Sequence, residues 1–205
     1  MSVLPARFTG HRLGDAAAPV VVQLYMDYNC PFCKKSFLKF VDEVIPHYDK
    51  NLPGKVQFWL MHQIQPWHAQ SLHLAEAALA VERLNPAAVW SFSRVLYDKI
   101  EQFSDRAVVN KSRSQLNEEL ADLAAAAPIG VDRAKFLELL ALVGSDNNGN
   151  SLIGDVKWWV RYSRQLGIHM SPTVQVNGII EASYGSAWSL EQITDMIAPF
   201  IAGTR

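Results

Sequence analysis

The chain has 205 residues, 49% of them apolar and 19% charged, with acidic and basic groups interspersed and a formal net charge of −1. That is the composition of a folded globular protein, long enough for one domain with a large insertion or for two small ones. It excludes the basic face that a nucleic-acid partner needs, and no stretch approaches the ~18 apolar residues of a membrane span.

The opening, MSVLPARFTGHRLGDAAAPV, has no apolar run behind a positive start. It does not read as a secretory signal, so the expected address is cytoplasmic; removal of a leader would make it periplasmic or secreted. Next, APVVVQLYM (18–26) is short and valine-rich and predicts a buried strand. From Pro31 to Tyr48, Phe32, Phe37, Phe40, Val41, Val44 and Ile45 recur at helical spacing, with Pro31 in the first turn and Pro46 near the end. KVQFWLM (55–61) predicts a second strand, so the first third reads β–α–β, with its two strands parallel.

Between about Pro66 and Gly167 the periodicity is helical. Five segments stand out: HAQSLHLAEAALAVERL, AAVWSFSRVLYDKI, SQLNEELADLAAAA, VDRAKFLELLALV capped by Asp132, and SLIGDVKWWVRYSRQLG closed by Gly167. Trp158 and Trp159 are adjacent, so only one can point squarely into a core. PTVQVNG then alternates as a strand, Asn177–Gly178 predicts a hairpin turn, and IIEASYG its return strand. SLEQITDMIAPFI is a last helix with a capping-box start at Ser189.

Both cysteines of the chain lie in YMDYNCPFCKKSF, at the junction of the first strand and first helix. A bridge between Cys30 and Cys33 closes too short a loop to be a structural staple. A zinc site needs four ligands; there is no second cysteine pair, and none of the six histidines pairs at a spacing usual for zinc, so no metal is expected. A catalytic dithiol fits better. The thiolate is the nucleophile, and a helix N-terminus favours an anion, with the N–H groups of Phe32 and Cys33 as donors because Pro31 has none. Cys30 then attacks, and Cys33, one turn further in and more buried, resolves the mixed disulfide. Asp27 is either a turn residue or a carboxylate in proton transfer, the turn role being favoured by its place before a helix.

LGDAAAPVVVQLYMDYNCPFC resembles the active-site region of DsbA-like thioredoxin-fold proteins, where a valine-rich strand runs into Asp–Tyr and then CP-aromatic-C. GIHMSPTVQVNG resembles that superfamily's cis-proline segment, and the helices between match its helical insertion. The resemblance covers nearly the whole chain. It implies an α/β thioredoxin-like fold, with residues 1–65 and 168–205 forming the thioredoxin-like domain and 66–167 the inserted helical domain.

The resemblance further implies a thiol–disulfide oxidoreductase of the protein disulfide isomerase class. Cys30 and Cys33 would be catalytic; Pro31, Phe32, Ser171, Pro172 and Asp27 would support the site, with Pro172 cis and Ser171 lining a groove for an extended substrate. No cofactor is expected beyond the dithiol. Partners would be protein or peptide thiols and disulfides, with glutathione a further candidate, and neither nucleic acid nor membrane; the oligomeric state is left open. His169 stands three residues before Pro172, with no role assigned.

Two departures from the family pattern bear on the potential. Leu24 stands where thioredoxins and DsbA carry a buried acid, and Phe32 replaces the histidine between the cysteines of DsbA. Without the acid, proton transfer to Cys33 must rely on water, Asp27 or another group; without the histidine the reduced thiolate loses one stabiliser, which implies a potential between about −120 mV and about −270 mV. A glutathione-dependent reductase or transferase on the same fold, or a non-catalytic redox-sensing module, are the alternative readings.

Overall fold

The structure is a computed structural model, and it describes residues 11–204. The first ten residues, part of the stretch weighed as a leader and of the segment 1–65, lie outside this range. Among the described residues five strands form one sheet: β1 (Arg12–Leu13), β2 (Val20–Met26), β3 (Val56–His62), β4 (Thr173–Val176) and β5 (Ile179–Ile180), in the order β1-β3-β2-β4-β5. β2 and β3 pair in parallel from Val20↔Val56 to Met26↔His62, while β4 runs antiparallel to β2. β2 and β3 are covered on both faces, which is why they read as nearly continuous apolar runs rather than alternating ones.

The crossover between β2 and β3 is helical. α1 (Pro31–Lys39) passes into a π-helical stretch over Phe40–Val44 and then into α2 (Ile45–Asn51). The sequence predicts a helix from Pro31 to Tyr48 with Pro46 near its end; the helical run reaches Asn51 and widens immediately before Pro46. Pro46 has no N–H to offer Asp42, and its ring would crowd that carbonyl, so the wider turn lets the helix run on.

The helical block lies between β3 and β4. It comprises α3 (Ser71–Leu84), α4 (Val89–Asp98), the single turn α5 (Asp105–Val108), α6 (Arg113–Ala126), α7 (Arg133–Leu140) and α8 (Ile153–Gln165). α3 is buried all round from Leu74 to Val81 and packs against α4, α6, α7 and α8. A helix buried on every side belongs in such a central position, and its one buried charge in that stretch, Glu76, is paired with Arg113. Asp132 accepts from the Lys135 N–H as the N-cap of α7. On α8, Trp159 is buried and Trp158 only partly so.

The chain ends in α9 (Leu190–Ile201), opened by a capping box between Ser189 and Gln192. The hairpin turn has Asn177 at φ 50° and Gly178 at φ 83°, the left-handed pair that Asn-Gly favours. Its return strand is shorter than IIEASYG suggests. The Glu181 carboxylate accepts from the backbone N–H and hydroxyl of Ser183, and this local turn draws the chain away from the sheet. β1, only two residues long, has no sequence signature.

Candidate active site

β2 ends at Met26, and the chain turns through Asp27–Asn29 into α1. The Asn29 N–H donates to Asp27 Oδ1 (2.7 Å) and the Cys30 N–H to the Asp27 carbonyl (3.3 Å). Cys30 is the N-cap of α1, with Pro31 at its first position; the Cys30 carbonyl accepts the first helical bond, from Lys34 (3.0 Å). Both cysteines are free thiols, Cys33 fully buried and Cys30 5% exposed.

The two thiols are driven apart in acidity. Cys30 is pushed down to about 6, above all because the Cys33 S–H donates to its sulfur. Burial opposes this, the N–H groups of Cys33 and Phe32 reinforce it, and the charge of Asp27 works against it. Cys33 is pushed well above the ordinary thiol range by burial and by its bond to Cys30. The helix terminus therefore contributes as its sequence position suggests, but the larger contribution comes from the second thiol.

The second half of the site arrives through β4. Extending the β2–β4 register by two residues, past Tyr25↔Thr173, brings Ser171 opposite Asp27. The Ser171 carbonyl lies 3.8 Å from Cys30 Sγ, positioned to accept from its thiol, and the Ser171–Pro172 peptide bond is cis. Thr173 Oγ1 donates to the Met170 carbonyl (2.8 Å), and Gln65 Nε2 to the His169 carbonyl (3.2 Å), which tie this loop on both sides. The His169 side chain is exposed and, with Met170, Pro172 and Thr173, borders a cleft of about 220 Å³.

Beneath the cysteines, Asp27 is almost completely buried. Its carboxylate accepts from Asn29 N (2.7 Å), Ser71 Oγ (2.7 Å) and Gln65 N (2.8 Å), and its carbonyl from the Tyr97 hydroxyl (3.2 Å). Its own N–H donates to Cys33 Sγ (3.4 Å). His68 Nδ1 lies 3.5 Å from Asp27 Oδ1 without hydrogen-bond geometry. Gln65, Ser71 and Tyr97 come from other parts of the chain, and no local pattern marks them. Leu24 is fully buried in β2.

A family model described as thioredoxin matches residues 7–197. The chain belongs to the thioredoxin family. Within it the likeness is to the DsbA-like branch. A candidate protein-disulfide isomerase from Pseudomonas syringae superposes with a TM-score of 0.74 at 20% identity, covering 93% of this chain and 99% of that one. Oxidised BdbD from Bacillus subtilis gives 0.69 at 22% identity, with 94% and 93% covered. Chlamydia trachomatis DsbA gives 0.60 at 19%, with 92% and 91% covered. No curated protein sequence matches the chain. Among the described residues, no helix is long and apolar enough to cross a membrane.

The Asp27 carboxylate holds three donors on its two oxygens. Replacing it by asparagine sets an amide N–H₂ against one of those donors. Asp27→Asn is expected to cost about 2 kcal/mol or more, since hydrogen bonds to charged groups carry ~1.5–3 kcal/mol each. Urea denaturation of the reduced protein measures this; an unchanged midpoint would show that the buried carboxylate does not organise the turn.

Proposed function

We propose that this protein exchanges disulfides with protein or peptide thiols through Cys30 and Cys33. The reading rests above all on the opposed acidities of the two thiols at the start of α1. One is an anion near neutral pH and the other keeps its proton, which is the division of labour that a two-step exchange requires.

In the reductive direction, the Cys30 thiolate attacks one sulfur of a substrate disulfide. That S–S bond breaks, a Cys30–substrate disulfide forms, and the departing substrate thiolate takes up a proton. The negative charge on Cys30, which helped keep Cys33 protonated, is then gone. Cys33 gives up its proton and attacks the Cys30 sulfur, releasing the second substrate thiol and leaving a Cys30–Cys33 disulfide. Two electrons have moved from the dithiol to the substrate; the reverse sequence oxidises a substrate dithiol. With Leu24 in place of an acid and the Asp27 carboxylate occupied by three donors, the proton of Cys33 passes to the leaving substrate thiolate or to water.

An extended substrate segment is taken to lie along the Ser171–Pro172 loop. Phe32, Trp67 and Met170, each more than half exposed on segments that border the site, offer apolar contact for an unfolded chain. A Cys30 pKa of about 6 lies between the ~3.5 of DsbA and the ~7 of thioredoxin, nearer the latter. The expected potential is correspondingly in the thioredoxin half of the range between about −120 and about −270 mV.

The test is catalysis of insulin reduction and of oxidation of a reduced model substrate. Wild type is expected to accelerate both and Cys30→Ser neither, because a serine hydroxyl is un-ionised at neutral pH. Equal behaviour of the two proteins would remove the enzymatic reading.

A further inference from the structure

Behind the active-site turn the fold assembles a second group of donor atoms that the dithiol chemistry does not use. His11, just before β1, His62, the last residue of β3, and Glu82, on α3, place one ligand atom each within 4.8 Å of one another. They are distant in sequence, and strand pairing unites the histidines: the Leu60 N–H donates to the His11 carbonyl (2.9 Å). Both histidines are buried, His11 completely and His62 at 2% exposure, while the Glu82 side chain reaches the surface at 15%.

The hydrogen bonding of His11 defines its ring. Nδ1 lies 2.6 Å from the Leu60 carbonyl, which can only accept, so Nδ1 carries the hydrogen. That directs Nε2 at Glu82 Oε2, 3.1 Å away. With Nδ1 committed to the carbonyl, Nε2 and the Glu82 carboxylate oxygen face one another as two donor atoms between which a proton or a metal ion can sit. A proton satisfies His11 and Glu82 but leaves His62 unexplained. Neither ring nitrogen of His62 has a hydrogen-bond partner among the described residues, although the ring is buried. Leaving such a group unsatisfied costs about 1–3 kcal/mol. A metal ion accounts for all three residues together.

The surroundings suit an ion. The Trp159 ring lies 5.0 Å from His11 and 4.9 Å from His62, centroid to centroid, and Tyr28 stands 5.5 Å from His62 on another side. These rings wall the cluster. Glu82 meanwhile borders a cleft of about 260 Å³ shared with Arg83, Asp155 and Trp158, a route for ion and water. The His11 Nδ1–H bond to a backbone carbonyl is the support that metal-bound histidines usually have.

We propose that His11, His62 and Glu82 bind a divalent transition-metal ion of the zinc type, with water from the Glu82 cleft as fourth ligand. Two imidazoles and one carboxylate favour such an ion over calcium or magnesium, which take oxygen ligands. The ion would fasten the β1 edge of the sheet to α3 of the helical block. The site shares no residue with Cys30 and Cys33, and the proposal stands independently of the exchange reaction.

The experiment uses the Cys30→Ser/Cys33→Ser protein, so that thiolates cannot bind metal. Calorimetric titration with zinc is expected to show one ion per chain with a dissociation constant of about 10 µM or lower. Bound zinc should also raise the melting temperature. Cobalt(II) in its place should give the visible bands of a tetrahedral nitrogen–oxygen site. His62→Ala is expected to weaken zinc binding by about 100-fold or more, and Glu82→Gln by at least about 10-fold. Glu82 lies at the rim of the cluster, so its variant carries the comparison if His62→Ala does not fold. Absence of saturable zinc binding, or binding that neither substitution weakens, overturns the proposal.

Discussion

Replacing Cys33 by alanine is expected to raise the pKa of Cys30 from about 6 to between about 7 and 8, and to halt exchange at the mixed disulfide. Both effects have one cause. The largest contribution to the acidity of Cys30 is the hydrogen bond from the Cys33 thiol, and alanine cannot supply it. A hydrogen bond to a charged group is worth ~1.5–3 kcal/mol, and each 1.36 kcal/mol corresponds to about one pH unit. Cys33→Ser keeps a donor at that position and should leave Cys30 close to 6, while still being unable to resolve the intermediate. Mass spectrometry after incubation with a disulfide substrate should show the covalent adduct in both variants. If Cys33→Ala leaves the Cys30 pKa unchanged, the backbone N–H groups of Phe32 and Cys33 are the principal stabilisers instead.

The second large effect is on stability as a function of pH. The folded-state pKa of Cys30 lies below its unfolded value of ~8.5, so the unfolded chain holds this proton more tightly. Its contribution is therefore fully present above about pH 8.5 and is lost as the pH falls through about 6. Relative to Cys30→Ala, the reduced wild type should gain at most about 3 kcal/mol across that window. Cys33 has the opposite sign: its raised pKa favours the folded state while the thiol is neutral, and that contribution declines only above its unfolded value of ~8.5. Between about pH 6 and about pH 8.5 Cys30 alone titrates of the pair. Urea denaturation of both reduced proteins across this range measures the difference. Parallel curves would mean that Cys30 is not preferentially ionised in the folded state. The same stabilised thiolate favours the dithiol over the disulfide, which links this measurement to the potential.

Much of this was legible from local signals. The valine-rich run before the cysteines, the helical spacing after them, the Asn177–Gly178 turn and the caps at Asp132 and Ser189 each act within a few residues of themselves. The structure follows them closely. The pairing of Cys30 with the Ser171–Pro172 loop spans most of the chain; only the family resemblance suggested it, and the β2–β4 register explains it.

What the sequence did not disclose is tertiary. Asp27 gathers donors from Asn29, Gln65 and Ser71, and only the first is local. The helix runs through Pro46 as the apolar spacing predicts, but the π-helical widening that precedes the proline is encoded by no apolar period. Spacing along the chain does not bring the histidines together, whereas His11 and His62 meet across two paired strands. Likewise, the helix terminus marks a source of thiol acidity in the sequence, whereas the larger contribution of the Cys33 thiol depends on how the two sulfurs are packed.

The most direct test of the exchange reading is titration of the Cys30 thiol in the reduced protein, followed by thiolate absorbance with Cys30→Ser as the blank. A single transition near 6, absent from the blank, is the expected result. A transition near the unperturbed ~8.5 would contradict the account, because Cys30 would then be an ordinary thiol and not a poised nucleophile.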